Sequence, residues 1–183
     1  MVNCLIVRDL RLKGNLSARC PVVSTSPNTS LTSVFDAING ASSNSKIDTL
    51  FVLCHGYAGV NVRARVCEDA GGMGLQLGCE DVLHTNVARW EAIANSTTNI
   101  VVYACAAADT EPGNEGSTAD GRYLMGALAI HTNANVFAAD RIQWYNASTM
   151  NFGRWKGRLW QFPPSGIPPK VVPCAPSEID DVT

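Results

Sequence analysis

Charge is scarce in this sequence. Only 16% of its 183 residues are Asp, Glu, Lys or Arg, and 14 basic against 16 acidic side chains leave a net charge of −2. That balance points away from a nucleic-acid surface. The densest basic cluster, Arg154, Lys156 and Arg158, alternates as one solvated strand face would. No apolar run reaches the length of a membrane span. The start, Met1-Val2-Asn3-Cys4-Leu5-Ile6, shows neither a basic segment ahead of a long apolar stretch nor a small-residue cleavage site. A cytoplasmic protein without signal peptide or membrane span is therefore expected, with leaderless export left open. Metal-binding spacings are also lacking: the three histidines lie far apart, and neither CxxC nor HxxxH occurs. Gly71-Gly72-Met73-Gly74 lacks the Gly-Lys-Ser/Thr ending of a phosphate loop. No cofactor and no metal are expected.

What the chain does have is apolar residues, 46% of the total, enough to bury a core in one domain. Its seven cysteines form no regular framework. Cys4, Cys54, Cys79 and Cys105 sit in or beside apolar runs, where a free cysteine behaves as a small hydrophobe, and a reducing interior is the expectation. Residues 4–7 read as a first strand. Residues 28–40 read as a helix capped by Thr29 or Ser30, with Leu31, Val34, Phe35 and Ile38 on one stripe and Gly40 as a left-handed stop. Alternation at Val60, Val62, Ala64 and Val66 suggests a half-exposed strand, with 75–77 returning beside it. Further helices are expected at 81–95 and 121–131, strands at 100–104 and 135–139, and a strand or hairpin at 152–162. Strand–helix alternation of this kind implies an α/β fold, a mainly parallel sheet with helices on both faces. Residues 1–162 form the domain in this reading. Residues 163–183, with six prolines before Ser177, form an extended or disordered tail.

Two stretches stand out within this framework. Leu50-Phe51-Val52-Leu53-Cys54-His55-Gly56 and Ile100-Val101-Val102-Tyr103-Ala104-Cys105 are both continuous apolar runs ending in a reactive residue. A cysteine or histidine ending a buried strand is more often a packing residue than a catalytic one. Their joint pattern counts for more. In an open parallel sheet the carboxyl ends of neighbouring strands share one edge, where clefts form. Adjacent strands would set an imidazole and a thiol about 5 Å apart at the backbone, the arrangement of a base-assisted thiol nucleophile. Gly56 leaves the chain free to turn behind the histidine.

The order of these motifs resembles the caspase-like clan of cysteine peptidases, which includes caspases, metacaspases, legumain, gingipains, separase and the bacterial CHAT proteases. It is similar above all to a caspase-related domain near the start of very large bacterial surface proteins. The matching stretches are Cys54-His55-Gly56, Leu75-Gln76-Leu77-Gly78, Tyr103-Ala104-Cys105, and residues 128–136 followed by Ala138-Ala139-Asp140. The resemblance covers roughly residues 47–162. It implies a caspase-like sheet, a peptide or protein substrate, Cys105 as nucleophile, His55 as the proton-transferring group, and an oxyanion hole made by the backbone N–H groups of Gly56 and Cys105.

Specificity is harder to read. Several such peptidases that cut after Arg or Lys carry an acid two positions before the cysteine, where this chain has Tyr103. Asp109 and Asp140 are alternative pocket acids, although loop carboxylates are more often solvated residues or caps. The long loop 106–120, with Asp109, Glu111, Glu115 and Asp120, could favour basic substrates or calcium. Two further readings stay open: a catalytically silent binding or assembly module of the same fold, and a thiol acyl hydrolase or transferase. No segment speaks to the oligomeric state.

Overall fold

A computed structural model describes residues 3–57 and 71–183. The half-exposed strand expected at 60–66 lies outside the described residues. The chain builds an α/β domain around one seven-stranded sheet, mostly parallel. Its strands are β1 (Cys4–Asp9), β2 (Val22–Thr25), β3 (Ile47–Leu53), β6 (Thr97–Tyr103), β7 (Asn135–Ala139), β8 (Leu159–Phe162) and β9 (Lys170–Val172), in the order β2-β1-β3-β6-β7-β8-β9. The first five are parallel, and β8 and β9 add antiparallel at one edge. A separate short pair joins β4 (His55–Gly56) to β5 (Leu75–Gln76). Strand β2 is laid down on one side of β1 and β3 on the other. The order therefore reverses between β1 and β3, and the crevice at their carboxyl ends is where open α/β sheets bind ligands.

Alternation along the strands divides the core in two. Leu5, Val7, Leu50, Val52, Ile100, Val102, Val136 and Ala138 face α1 (Leu31–Ser42), α2 (Gly121–Thr132) and a 3-10 helix (Val87–Ile93). The opposite parity, Ile6, Phe51, Leu53, Val101, Tyr103 and Phe137, packs on Leu12, Cys20, Met150, Phe152, Ala175, Ile179 and Val182. Among the described residues, then, both α-helices and the 3-10 helix share one face. The other is roofed by irregular chain and one 3-10 turn, Ile179–Asp181. Among the described residues, the second face is covered by the connection from β1 to β2 and by the C-terminal segment, so both α-helices lie on the first.

Local chemistry explains several other departures. The Ser30 hydroxyl caps α1, accepting from Ser33 N–H, and the helix passes through Gly40 to Ser42 instead of stopping there. The helix expected at 81–95 shrinks to the 3-10 stretch: Asp81 has φ of +56°, which no α-helix accommodates, and Val82 bridges back to Leu75. Residues 75–76 pair with His55–Gly56. The C-terminal segment is not a detached tail. It supplies β9 and buries Ala175, Ile179 and Val182, so prolines here shape a covering strap. Cys4 is not a free hydrophobe either; it forms a disulfide with Cys20. Disulfides belong to oxidising compartments, and the reducing interior expected from the sequence does not account for it. Among the described residues, no helix is long and apolar enough to cross a membrane.

Candidate active site

Strands β3 and β6 are hydrogen-bonded neighbours, with Leu53 in register with Tyr103. The ladder runs on for one more bond, from Cys54 N–H to the Tyr103 carbonyl at 3.2 Å. His55 and Cys105 each stand two residues past that pair. By alternation both continue the parity of Leu53 and Tyr103, on the face roofed by irregular chain. Their backbones are in contact through Gly56: a Cβ there would collide with the carbonyl oxygen and carbon of Cys105. Only glycine permits that approach.

The histidine is held from the β1 side. His55 Nε2 lies 3.3 Å from the Arg11 carbonyl oxygen. A carbonyl only accepts, so the contact favours the proton on Nε2 and leaves the lone pair on Nδ1. Arg11 is itself fixed by Asp9, which is fully buried at the end of β1. The Asp9 carboxylate receives Arg11 Nε and Nη2, each at 2.8 Å, together with Arg11 N–H, Gly78 N–H and the Thr25 hydroxyl. Burial pushes the Asp9 carboxyl up, but these hydrogen bonds and the guanidinium charge outweigh it and hold the group below its usual range. Arg11 Nη2 also sits 3.7 Å from Asp81, whose other oxygen accepts from the Tyr57 hydroxyl at 3.2 Å. Arg11, Tyr57, Gln76, Gly78, Cys79 and Asp81 line a cavity of about 310 Å³ beside this cluster.

The thiol is held differently. Burial raises the Cys105 pKa, while the backbone N–H groups of Gln143 and Gly56 pull it back part of the way. The net direction is upward, so the resting sulfur is a thiol. The chain then turns sharply: Ala106 has φ of +47°, a left-handed conformation that costs a non-glycine residue about 1 kcal/mol or more. Ala106 N–H reaches the Arg141 carbonyl at 3.1 Å, and Ala108 N–H the Ala139 carbonyl at 3.0 Å. On the far side, Gly71, Gly72 and Gly121 press so closely on Ala106, Ala107 and Asp109 that none tolerates a Cβ.

The structure thus sets Gly56, the residue after His55, against the Cys105 backbone, and it gives the three expected pocket residues other roles. Tyr103 is buried, stacks on Trp155 at 4.4 Å, and its hydroxyl accepts from Ile179 N–H at 3.1 Å. It is a peg for the C-terminal strap. Asp140 is buried and fully engaged, accepting from Arg158 N–H, Arg158 Nε and Trp160 Nε1. Asp109 accepts from Gly71 N–H at 3.2 Å and so closes the loop behind the cysteine. Within that loop, Asp120 draws in Thr110 and Gly116 and caps α2 through Tyr123 N–H. Its acid organises the chain. The sequence pattern did not single out Asp9, Arg11, Asp81 or Gln143. Only the first three had a signal, a charged pair directly after an apolar strand and an acid at a turn. Comparison with known proteins finds no family model and no curated protein that matches the chain.

Proposed function

We propose that this protein is a cysteine endopeptidase of the caspase-like kind, acting through Cys105 and His55. The observation that carries the reading is the pairing of β3 with β6, which sets the two residues beyond one register pair with Gly56 against the Cys105 backbone. Since the resting sulfur is protonated, the reaction begins with general-base catalysis rather than from a preformed ion pair. His55 Nδ1 takes the thiol proton as Sγ attacks the scissile carbonyl carbon. The carbonyl π electrons move to oxygen, and the N–H groups of Gly56 and Cys105 receive that oxyanion. Collapse breaks the C–N bond, and the imidazolium returns its proton to the departing amine. Water, deprotonated by the same imidazole, then hydrolyses the thioester and frees the thiol. The cavity bounded by Arg11, Tyr57, Gln76 and Asp81 receives the substrate side chain next to the cut. It replaces Tyr103, Asp109 and Asp140 in that role.

Cys105→Ala tests this directly. Peptide cleavage and covalent labelling at position 105 disappear while the thermal transition stays in place; full hydrolysis by the substituted protein would sink the assignment. The rival is a silent module of the same fold. It is favoured by the raised thiol pKa, and it requires Cys105 to be no more reactive toward an electrophile than exposed Cys79 and Cys174.

A further inference from the structure

A second cleft lies between α2 and the chain that follows β8, and the thiol takes no part in it. It encloses about 330 Å³, with helix residues such as Arg122, Gly126 and Ile130 on one side and the stretch 162–169 on the other. Among the described residues, seven large apolar side chains are exposed, and three of them, Tyr123, Ile130 and Ile167, gather at this cleft. Apolar side chains scattered singly on a surface need no explanation, whereas a grouped set marks a contact site. Gly126 helps to open the space. It stands inside α2, where glycine costs about 1 kcal/mol relative to alanine. Neither a positive φ nor close packing requires it, because a Cβ there would meet only Phe162, at 4.0 Å. The absent side chain leaves room that the cleft uses.

Charge selects the occupant. Two guanidiniums lie over Trp160, that of Arg122 at 4.7 Å and that of Arg158 at 5.2 Å from the ring centroid. Arg158 is neutralised by Asp140. Arg122 makes no ion pair among the described residues, and its buried Nε has no hydrogen-bond partner. The other ionisable groups at the cleft are Tyr123 and His131, and no carboxylate lines it among the described residues. An unneutralised, half-buried cation at one end of an apolar cleft is complementary to an anionic head on an apolar body. We propose that the cleft binds a small amphipathic carboxylate, its head group on Arg122 and its aliphatic chain lying over Gly126 toward Ile130. Between Arg122 and Ile130 the helix rises about 12 Å, a span matched by an unbranched chain of roughly eight to ten carbons. The site needs no catalytic role for Cys105, so its test is independent of peptide cleavage.

The probes are sodium octanoate and, as its uncharged counterpart, 1-octanol, each titrated into the 15N-labelled full chain. Octanoate saturates one site and moves the amide resonances of Gly126 and Ile167. It binds about tenfold more tightly than octanol, the effect of a charge-assisted hydrogen bond. In Arg122→Met the two probes bind equally. Gly126→Leu fills the cleft and abolishes binding of both, and it melts no lower than wild type because a helix former replaces glycine. Absence of saturable octanoate binding by wild type overturns the inference. So does a preference for octanoate that survives in Arg122→Met, or unchanged binding in Gly126→Leu. Two other occupants would declare themselves and also overturn it. One is an acidic, leucine-rich peptide that binds the same amides far more tightly than octanoate. The other is a second copy of the chain, seen as a wild-type dimer in sedimentation that Gly126→Leu dissociates.

Discussion

His55 and Cys105 stand beyond the same register pair, yet the chain secures them by different physics. The histidine side is an electrostatic construction, in which a carbonyl oxygen is placed by Arg11, and Arg11 by the buried carboxylate of Asp9. The cysteine side carries no fixed charge of that kind. It is held by close backbone approach at Gly56, Gly71, Gly72 and Gly121, by main-chain hydrogen bonds, and by one strained residue. An ion cluster can be undone by protons without any atom being out of place. Steric packing is indifferent to pH and fails when a single methyl is added.

The largest expected effect comes from breaking the charged side. Asp9→Asn leaves Arg11 beside an uncharged amide, and removing one partner of a buried ion pair costs about 3–5 kcal/mol. The loss is read by chemical denaturation at neutral pH. It also has a pH signature. The Asp9 pKa is depressed on folding, so its contribution is fully present above the unfolded value of about 3.9 and is lost as pH falls through the lower folded value. The stability difference between wild type and variant should shrink across that acid range; a gap that stays constant from neutral pH down through it would contradict the electrostatic account. Gly56→Ala comes next. The new methyl meets a backbone carbonyl that cannot rotate aside, for a cost of about 1–3 kcal/mol and a larger loss of Cys105 labelling, with no change in the acid limb. Labelling at the wild-type rate would mean the two backbones do not touch. The smallest effect is Ala106→Gly. Relief of the left-handed strain is offset by loss of a buried methyl, so stability changes by less than about 1 kcal/mol. A drop of several kcal/mol would show that Ala106 is not left-handed.

The sequence made parts of this arrangement plain and hid others, for physical reasons. Runs such as 50–53 and 100–103 are apolar at every position because both faces are covered, and that continuity alone marks β3 and β6 as buried strands. The stripe of Leu31, Val34, Phe35 and Ile38 marks α1 equally well, and all four are buried. Backbone partners are another matter. A glutamine in a loop reads as solvated until its carboxamide is seen clamped, as that of Gln143 is by Arg141 and Lys156. Asp109 and Asp140 looked available because loop acids usually are; here backbone N–H groups and Arg158 occupy them. The covering strap misled for a related reason. Ala175, Ile179 and Val182 are spaced i, i+4 and i+7, but three residues with Pro173 and Pro176 beside the first do not read as a helix, so proline content was the strap's most visible feature.

The staple between Cys4 and Cys20 sets a condition on the chemistry at the other end of β1. The molecule keeps one sulfur reduced at Cys105 and two oxidised at the start of the sheet. A reductant strong enough to rescue the first is chemically able to cleave the second. Cys20 is 4% exposed while Cys4 is partly buried, and exchange requires a thiolate to reach a disulfide sulfur, so attack in the folded chain falls on the Cys4 side. Reduction of an unfolded chain also severs the tie on the connection that carries Arg11, and with it a constraint on where His55 finds its carbonyl.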